Sequence, residues 1–200
     1  MIDRPLLVRG NEYPALRQFI ASFMNPLSSL KEEHAFVLEE LYALDRQLGW
    51  LESSGPAMAR KILVRLLIGG EKLASDLSFH FEREEKALFP LLEKRMDNAE
   101  PVTIMKQEHQ RLSICLKAFT SEVARMLKDH DTVKTWDLSS TLQDIRSELS
   151  DHVSREERVL FWLAEIRLSR SDRNKLSSEL LRMSSQESLP LSSNPAQGLG

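Results

Sequence analysis

Cysteine is nearly missing from this chain: Cys115 stands alone in 200 residues, which excludes an internal disulfide and makes a reducing, cytoplasmic setting the expectation. Valine, isoleucine and threonine are sparse, and no segment alternates apolar and polar residues as a half-buried strand does. Lysine and arginine form no basic run, and a net charge of −3 is too mild to favour nucleic acid or an anionic membrane. The most apolar run, Ile62 to Ile68, is cut by Arg65 and ends at Gly69-Gly70, well short of the roughly 20 residues that span a bilayer. Met1 to Gly10 is too short and too polar to supply the apolar segment of a signal peptide.

Helical periodicity is what the chain has instead. Four stretches carry an apolar seam at spacings of three and four residues, running from Leu27 to Leu51, Ile62 to Leu88, Met105 to Met126 and Leu138 to Ile166. Ser53-Ser54-Gly55-Pro56 separates the first two, Pro90, Asp97-Asn98 and Pro101 lie between the second and third, and Asp129-His130-Asp131 parts the last two. Short connections favour antiparallel neighbours, so the expected fold is all-α, an up-down-up-down four-helix bundle over residues 27–168. Residues 1–26 read as an N-terminal arm or short helix, 169–183 as a short amphipathic helix packed outside the bundle, and the Ser-rich 184–200 as a disordered tail.

Six seam positions carry polar residues where Leu or Ile would otherwise stand. His80-x-x-x-Glu84-Glu85 and His152-x-x-x-Glu156-Glu157 each continue to a Leu-Phe pair, Leu88-Phe89 and Leu160-Phe161. Upstream of each lies a Glu-His pair preceded by lysine, Glu33-His34 after Lys31 and Glu108-His109 after Lys106. His34 and His109 lie near the N-terminal ends of their helices, and the His/Glu pairs near the C-terminal ends of theirs. The expected topology therefore brings all six into one layer, with i and i+4 on one helical face. Burying six ionisable groups is costly unless partners satisfy them. Imidazole with carboxylate suits iron, manganese or zinc, and is too rich in nitrogen for calcium or magnesium. The pattern therefore points to a pair of transition-metal ions rather than to structural histidines.

On these residues the stretch from about Leu27 to Leu168 resembles the hemerythrin-like (HHE cation-binding) family, in which a four-helix bundle holds a metal pair. The resemblance implies a non-haem di-iron centre with His34, His80, His109 and His152 as terminal ligands and Glu84 and Glu156 as bridges; manganese or a mixed pair would suit the same donors. The match departs from the oxygen carriers of the family, which have a further histidine four residues after the third-helix one and an aspartate in the fourth-helix motif. Here those positions are Ser113 and Glu156. The more symmetric set is similar to members that repair damaged iron centres or sense iron or oxygen.

Around the centre, Glu85 and Glu157 rotate off an α-helical seam, which fits a solvated or salt-bridging face; the alternative is hydrogen bonding behind the ligands or a route for the metal. Glu33 and Glu108 could orient the histidines in the same way. Phe79, Phe81, Phe89 and Phe161 suit a dry wall, Trp162 could close the open end, and His130 falls in a turn outside the site. Three functions follow as expectations. One is binding or sensing of O2, NO or peroxide in a stress response. Another is an enzyme or iron donor acting in NO or peroxide detoxification or iron-centre repair. The last is a metal-stabilised interaction module, with a homodimer or a protein partner docked through the C-terminal helix.

Overall fold

Every regular element in the computed structural model is helical; it describes residues 25–51, 53–128 and 135–187. The helices are α1 (Pro26–Leu51), α2 (Pro56–Arg83), α3 (Phe89–Arg95), α4 (Glu100–Lys128), α5 (Thr135–Arg155), α6 (Phe161–Arg167) and α7 (Arg170–Glu187). A π-helical turn at Glu84–Leu88 joins α2 to α3, and a second at Glu156–Leu160 joins α5 to α6. Among the described residues there is no strand, and no helix long and apolar enough to cross a membrane. Residues 1–24, most of the tail and His130 lie outside the described residues.

Local chemistry sets the helix ends. Asn25 Oδ1 accepts a hydrogen bond from the Leu27 amide at 3.1 Å, and Pro26 follows at the first helical position, where its missing N–H costs nothing. Gly55 and Pro56 start α2 in the same spirit. Asn98 Oδ1 takes the Glu100 amide at 2.8 Å, so the break falls at residues 96–99. Pro90 breaks nothing: the rod from Pro56 to Arg95 is continuous, and Pro90 occupies the start of α3.

The four long helices pack in a closed cycle, α1 on α2, α2 on α4, α4 on α5 and α5 on α1. Their buried residues divide into two apolar clusters. The larger runs from Val37 to Leu51 on α1 and takes in Leu66 and Leu73 of α2, Leu116 and Phe119 of α4, and Leu142 and Leu149 of α5. The smaller holds Leu27 and Leu30, Leu88 and Phe89, Val102 and Met105, Leu160 and Phe161. Each fully buried Leu or Phe contributes about 1.5–3 kcal/mol to folding.

α7 completes the smaller cluster. Leu176, Leu180 and Met183 are buried in it, so the apolar stripe of the C-terminal helix is covered by the chain's own core. The helix extends through Glu187 and takes in residues 184–187, which the Ser-rich composition had assigned to a disordered tail. A reciprocal cap fixes its start. Ser169 Oγ accepts from the Asp172 amide at 3.2 Å, and Asp172 Oδ2 accepts from the Ser169 amide at 3.1 Å. Arg95 Nε donates to the same Asp172 oxygen at 2.9 Å and ties α7 to the end of α3.

Candidate metal centre

Each long helix crosses from one apolar cluster to the other at the residues singled out in its sequence. On α1 the crossing is His34, between Leu30 and Val37; on α4 it is His109, between Met105 and Leu112. His80 and Glu84, and then His152 and Glu156, mark it on the two rods that contain the π turns. The result is one polar layer between two dry ones. The structure brings all six residues together there, with Glu84 and Glu156 at 0% exposure and the four histidines buried.

Within the layer, imidazole Nε2 atoms and carboxylates converge. His34 Nε2 lies 3.0 Å from His80 Nε2 and 3.0 Å from Glu156 Oε2. Glu84 spans the centre, with Oε1 3.1 Å from His80 Nε2 and Oε2 3.2 Å from His109 Nε2. His152 Nε2 stands 3.8 Å from Glu156 Oε2. Apart from the approach of His34 Nε2 to His80 Nε2, these contacts lack hydrogen-bond alignment: both oxygens of Glu84 and of Glu156, and Nε2 of His109 and His152, have no hydrogen-bond partner. Buried polar atoms without partners are rare because each costs about 1–3 kcal/mol.

Outside the layer the second nitrogen of every ring is engaged. Nδ1–H of His34 donates to Glu157 at 3.0 Å, that of His80 to Glu33 at 2.8 Å, that of His109 to Glu85 at 2.7 Å and that of His152 to Glu108 at 3.0 Å. An ionised carboxylate only accepts, so each bond places the ring proton on Nδ1 and leaves the Nε2 lone pair facing inward. Burial pushes the pKa of His80, His109 and His152 down, and the neighbouring imidazoles push His109 and His152 further. These three rings are therefore neutral, as metal ligands must be. Burial raises Glu84 to about 7 and, with the facing Glu84 charge, Glu156 to about 8.

The π turns explain how adjacent glutamates both reach inward. Phe89 N–H bonds to the Glu84 carbonyl, and Phe161 N–H to that of Glu156, each across five residues. The extra residue in the turn keeps Leu88 and Phe89 buried after Glu84, and lets Glu85 reach His109 although it is itself 41% exposed. In a regular α-helix Glu85 would sit well off the His80 face. The second copy carries Trp162 where the first has Pro90 and makes the same turn, so proline does not impose it.

Aromatic rings wall the layer. Phe161 stacks on His34 and Phe89 on His109, each at 5.6 Å between centroids, while Phe81 stacks on His109 at 3.9 Å. Phe79 instead lies under Arg83, at 5.6 Å. Trp162 is exposed and closes nothing, since the turn that buries Phe161 sends the next side chain outward. Ser113 donates its hydroxyl to the His109 carbonyl at 2.8 Å within its own helix. Two residues were passed over in the sequence. Arg83 pairs with Glu33 and Arg155 with Glu108, and their signal was an arginine at the same place in both His-x-x-Arg-Glu motifs.

The donor set fits a bound cation. Its atoms form two groups that share one carboxylate, His34, His80, Glu84 and Glu156 in the first and Glu84, His109 and His152 in the second. Matching against known families agrees: the hemerythrin HHE cation binding domain covers residues 25–164. The chain belongs to the hemerythrin family. Among curated proteins, it is similar to the iron-sulfur cluster repair protein YtfE of Escherichia coli O157:H7 and of Shigella boydii serotype 18, 27% identical over 92 residues in both cases. That stretch is 44% of this hemerythrin-family chain and 42% of each relative, so the match spans less than half of the repair proteins.

Proposed function

We propose that the polar layer holds two iron ions in an up-down-up-down four-helix bundle, and that the protein binds or senses a small ligand, O2, NO or peroxide, at this centre. His34, His80, His109 and His152 would each give Nε2, while Glu84 and Glu156 would bridge. The observation that carries this reading is the set of orphaned inward atoms, four carboxylate oxygens and two imidazole nitrogens that no other group satisfies. The neutral histidines and the family match support it. When bound, a non-haem iron pair supplies open coordination positions and one-electron redox chemistry. The chain's own groups do the rest: the glutamates behind each ring hold its proton on Nδ1, and Phe81, Phe89 and Phe161 keep water from the imidazoles. Manganese or a mixed pair would suit the same donors.

The test is metal content per chain after anaerobic purification, followed by the visible spectrum on exposure to air and to NO. About two irons per chain, with absorption that changes as ligand is added, is the expected result. Well-folded protein that takes up no iron would overturn the proposal.

The likeness to proteins named for iron-sulfur cluster repair favours a second reading, in which the same centre donates iron or turns over NO or peroxide. Turnover separates the two: a sensor binds its ligand reversibly, whereas an enzyme consumes it.

A further inference from the structure

We infer that Arg83 and Arg155 are positioning residues for His80 and His152. Each arginine lies three residues after its histidine, and each reaches a glutamate on the neighbouring long helix: Glu33 of α1 for Arg83, and Glu108 of α4 for Arg155. The carboxylate is used at both ends. Arg83 Nη1 pairs with Glu33 Oε1, while Glu33 Oε2 accepts from His80 Nδ1 at 2.8 Å. Arg155 Nη1 pairs with Glu108 Oε1, while Glu108 Oε2 accepts from His152 Nδ1 at 3.0 Å.

The same three-residue chain is thus built twice from the two halves of the sequence. A charge-assisted bond from a guanidinium fixes the orientation of the carboxylate. That carboxylate in turn fixes the imidazole tautomer and ring plane. With Arg83 gone, Glu33 is free to turn to solvent, and the His80 proton is free to move to Nε2, the atom that faces the centre.

The two copies are not equal. The Arg83 side chain is 5% exposed, donates to Ser29 Oγ at 3.3 Å and lies over the Phe79 ring. The Arg155 side chain is 44% exposed, so water can take over part of its work. Arg83 is therefore the stronger of the pair.

This inference rests on His80 and His152 being metal ligands, and the test separates the two ideas. In metal-free protein labelled with 15N-histidine, long-range 1H–15N spectra should show His80 and His152 as single Nδ1–H tautomers. Arg83→Met should mix the tautomers of His80 and leave His152 alone; Arg155→Met should do the reverse, more weakly. In anaerobic Fe(II) titrations, Arg83→Met should lower affinity about tenfold, the lower end of the usual range for groups behind a ligand, with the full metal complement still reached at saturation. Arg83→Lys, which keeps the charge, should recover much of that loss.

Unchanged tautomers in both methionine variants would overturn the inference even if the native chain loads two ions. A tautomer shift in a native background that binds no Fe(II) would leave the relay standing and sink the metal reading. Should Arg83→Met not fold, Arg155→Met carries the test, with an unshifted His152 spectrum overturning it.

Discussion

His34 Nε2 lies 3.0 Å from His80 Nε2 at the centre of the polar layer. With both ring protons held on Nδ1, these are two lone pairs facing each other, a repulsive arrangement that a cation between them relieves.

Removing metal should therefore cost stability without erasing the fold, because the two apolar clusters on either side persist. A ligand bound only by the native state at one hundred times its Kd adds about 2.7 kcal/mol per site. For a chain of this size excess Fe(II) should raise Tm on the order of 10 °C over the chelated protein. Differential scanning calorimetry under argon measures this, and an unmoved Tm would contradict a metal centre here.

Glu84 and Glu85 are neighbours with different work. Glu84 faces both halves of the layer, whereas Glu85 holds the His109 proton from behind. Glu84→Ala should cut the iron bound per chain at saturation. Glu85→Ala should leave that number intact and weaken binding about 10–100-fold. Elemental analysis with anaerobic titration distinguishes them, and equal loss of iron from both would show that Glu85 acts inside the layer.

Much of this layout was legible in the sequence, and the exceptions have identifiable causes. Polar residues on an apolar seam stand out, and the two-fold repeat of His34, His80 and Glu84 by His109, His152 and Glu156 marked which side chains would face one another. For Glu85 and Glu157 the sequence left two readings open, because α-helical spacing turns them off the seam; both lie within the π turns and accept from Nδ1 of His109 and His34. The doublets Leu88-Phe89 and Leu160-Phe161, repeated at the same distance after each histidine, lie at the ends of the two π turns and are buried in both copies. Pro90 reads as a break by composition, yet it stands at the first positions of α3, where its missing N–H is tolerated. Arg83 and Arg155 were passed over because a charged residue beside a seam usually meets water.

Gly70 sits where α2 packs tightly against Phe119 and Thr120 of α4. A Cβ there would meet Thr120 Cγ2 at 3.0 Å and the Phe119 ring at 3.2 Å. Alanine would gain about 1 kcal/mol of helix propensity, but overpacking costs about 1–3 kcal/mol. Phe119 is fully buried and has little room to retreat, so the balance falls against the substitution. Gly70→Ala should lower Tm by about 2–4 °C. A rise in Tm by thermal melting would show that the helices can part at that point.

Glu156 gives the pH dependence its sign. Burial, then the Glu84 charge, raises its pKa from the ordinary 4.5 to about 8 in the folded chain. The folded state holds this proton more tightly than the unfolded one, so the contribution is intact below about pH 4.5 and is lost as pH rises through about 8. The histidines run the other way: their folded pKa values are depressed, so stability from them is present above about 6.5 and lost as pH falls. Those histidine contributions are common to the native chain and to Glu156→Gln, and largely cancel in the comparison. Glutamine keeps the size and cannot ionise. Without metal, Glu156→Gln should match the native chain near pH 5 and exceed it near pH 8.5 by a few kcal/mol, on the order set by a shift of this kind. With excess Fe(II) near pH 8.5 the ranking should reverse, since a neutral amide is a poorer ligand than a carboxylate. Urea unfolding at the two pH values, with and without iron, measures all four numbers; equal metal-free stabilities near pH 8.5 would mean that Glu156 carries no buried charge to relieve.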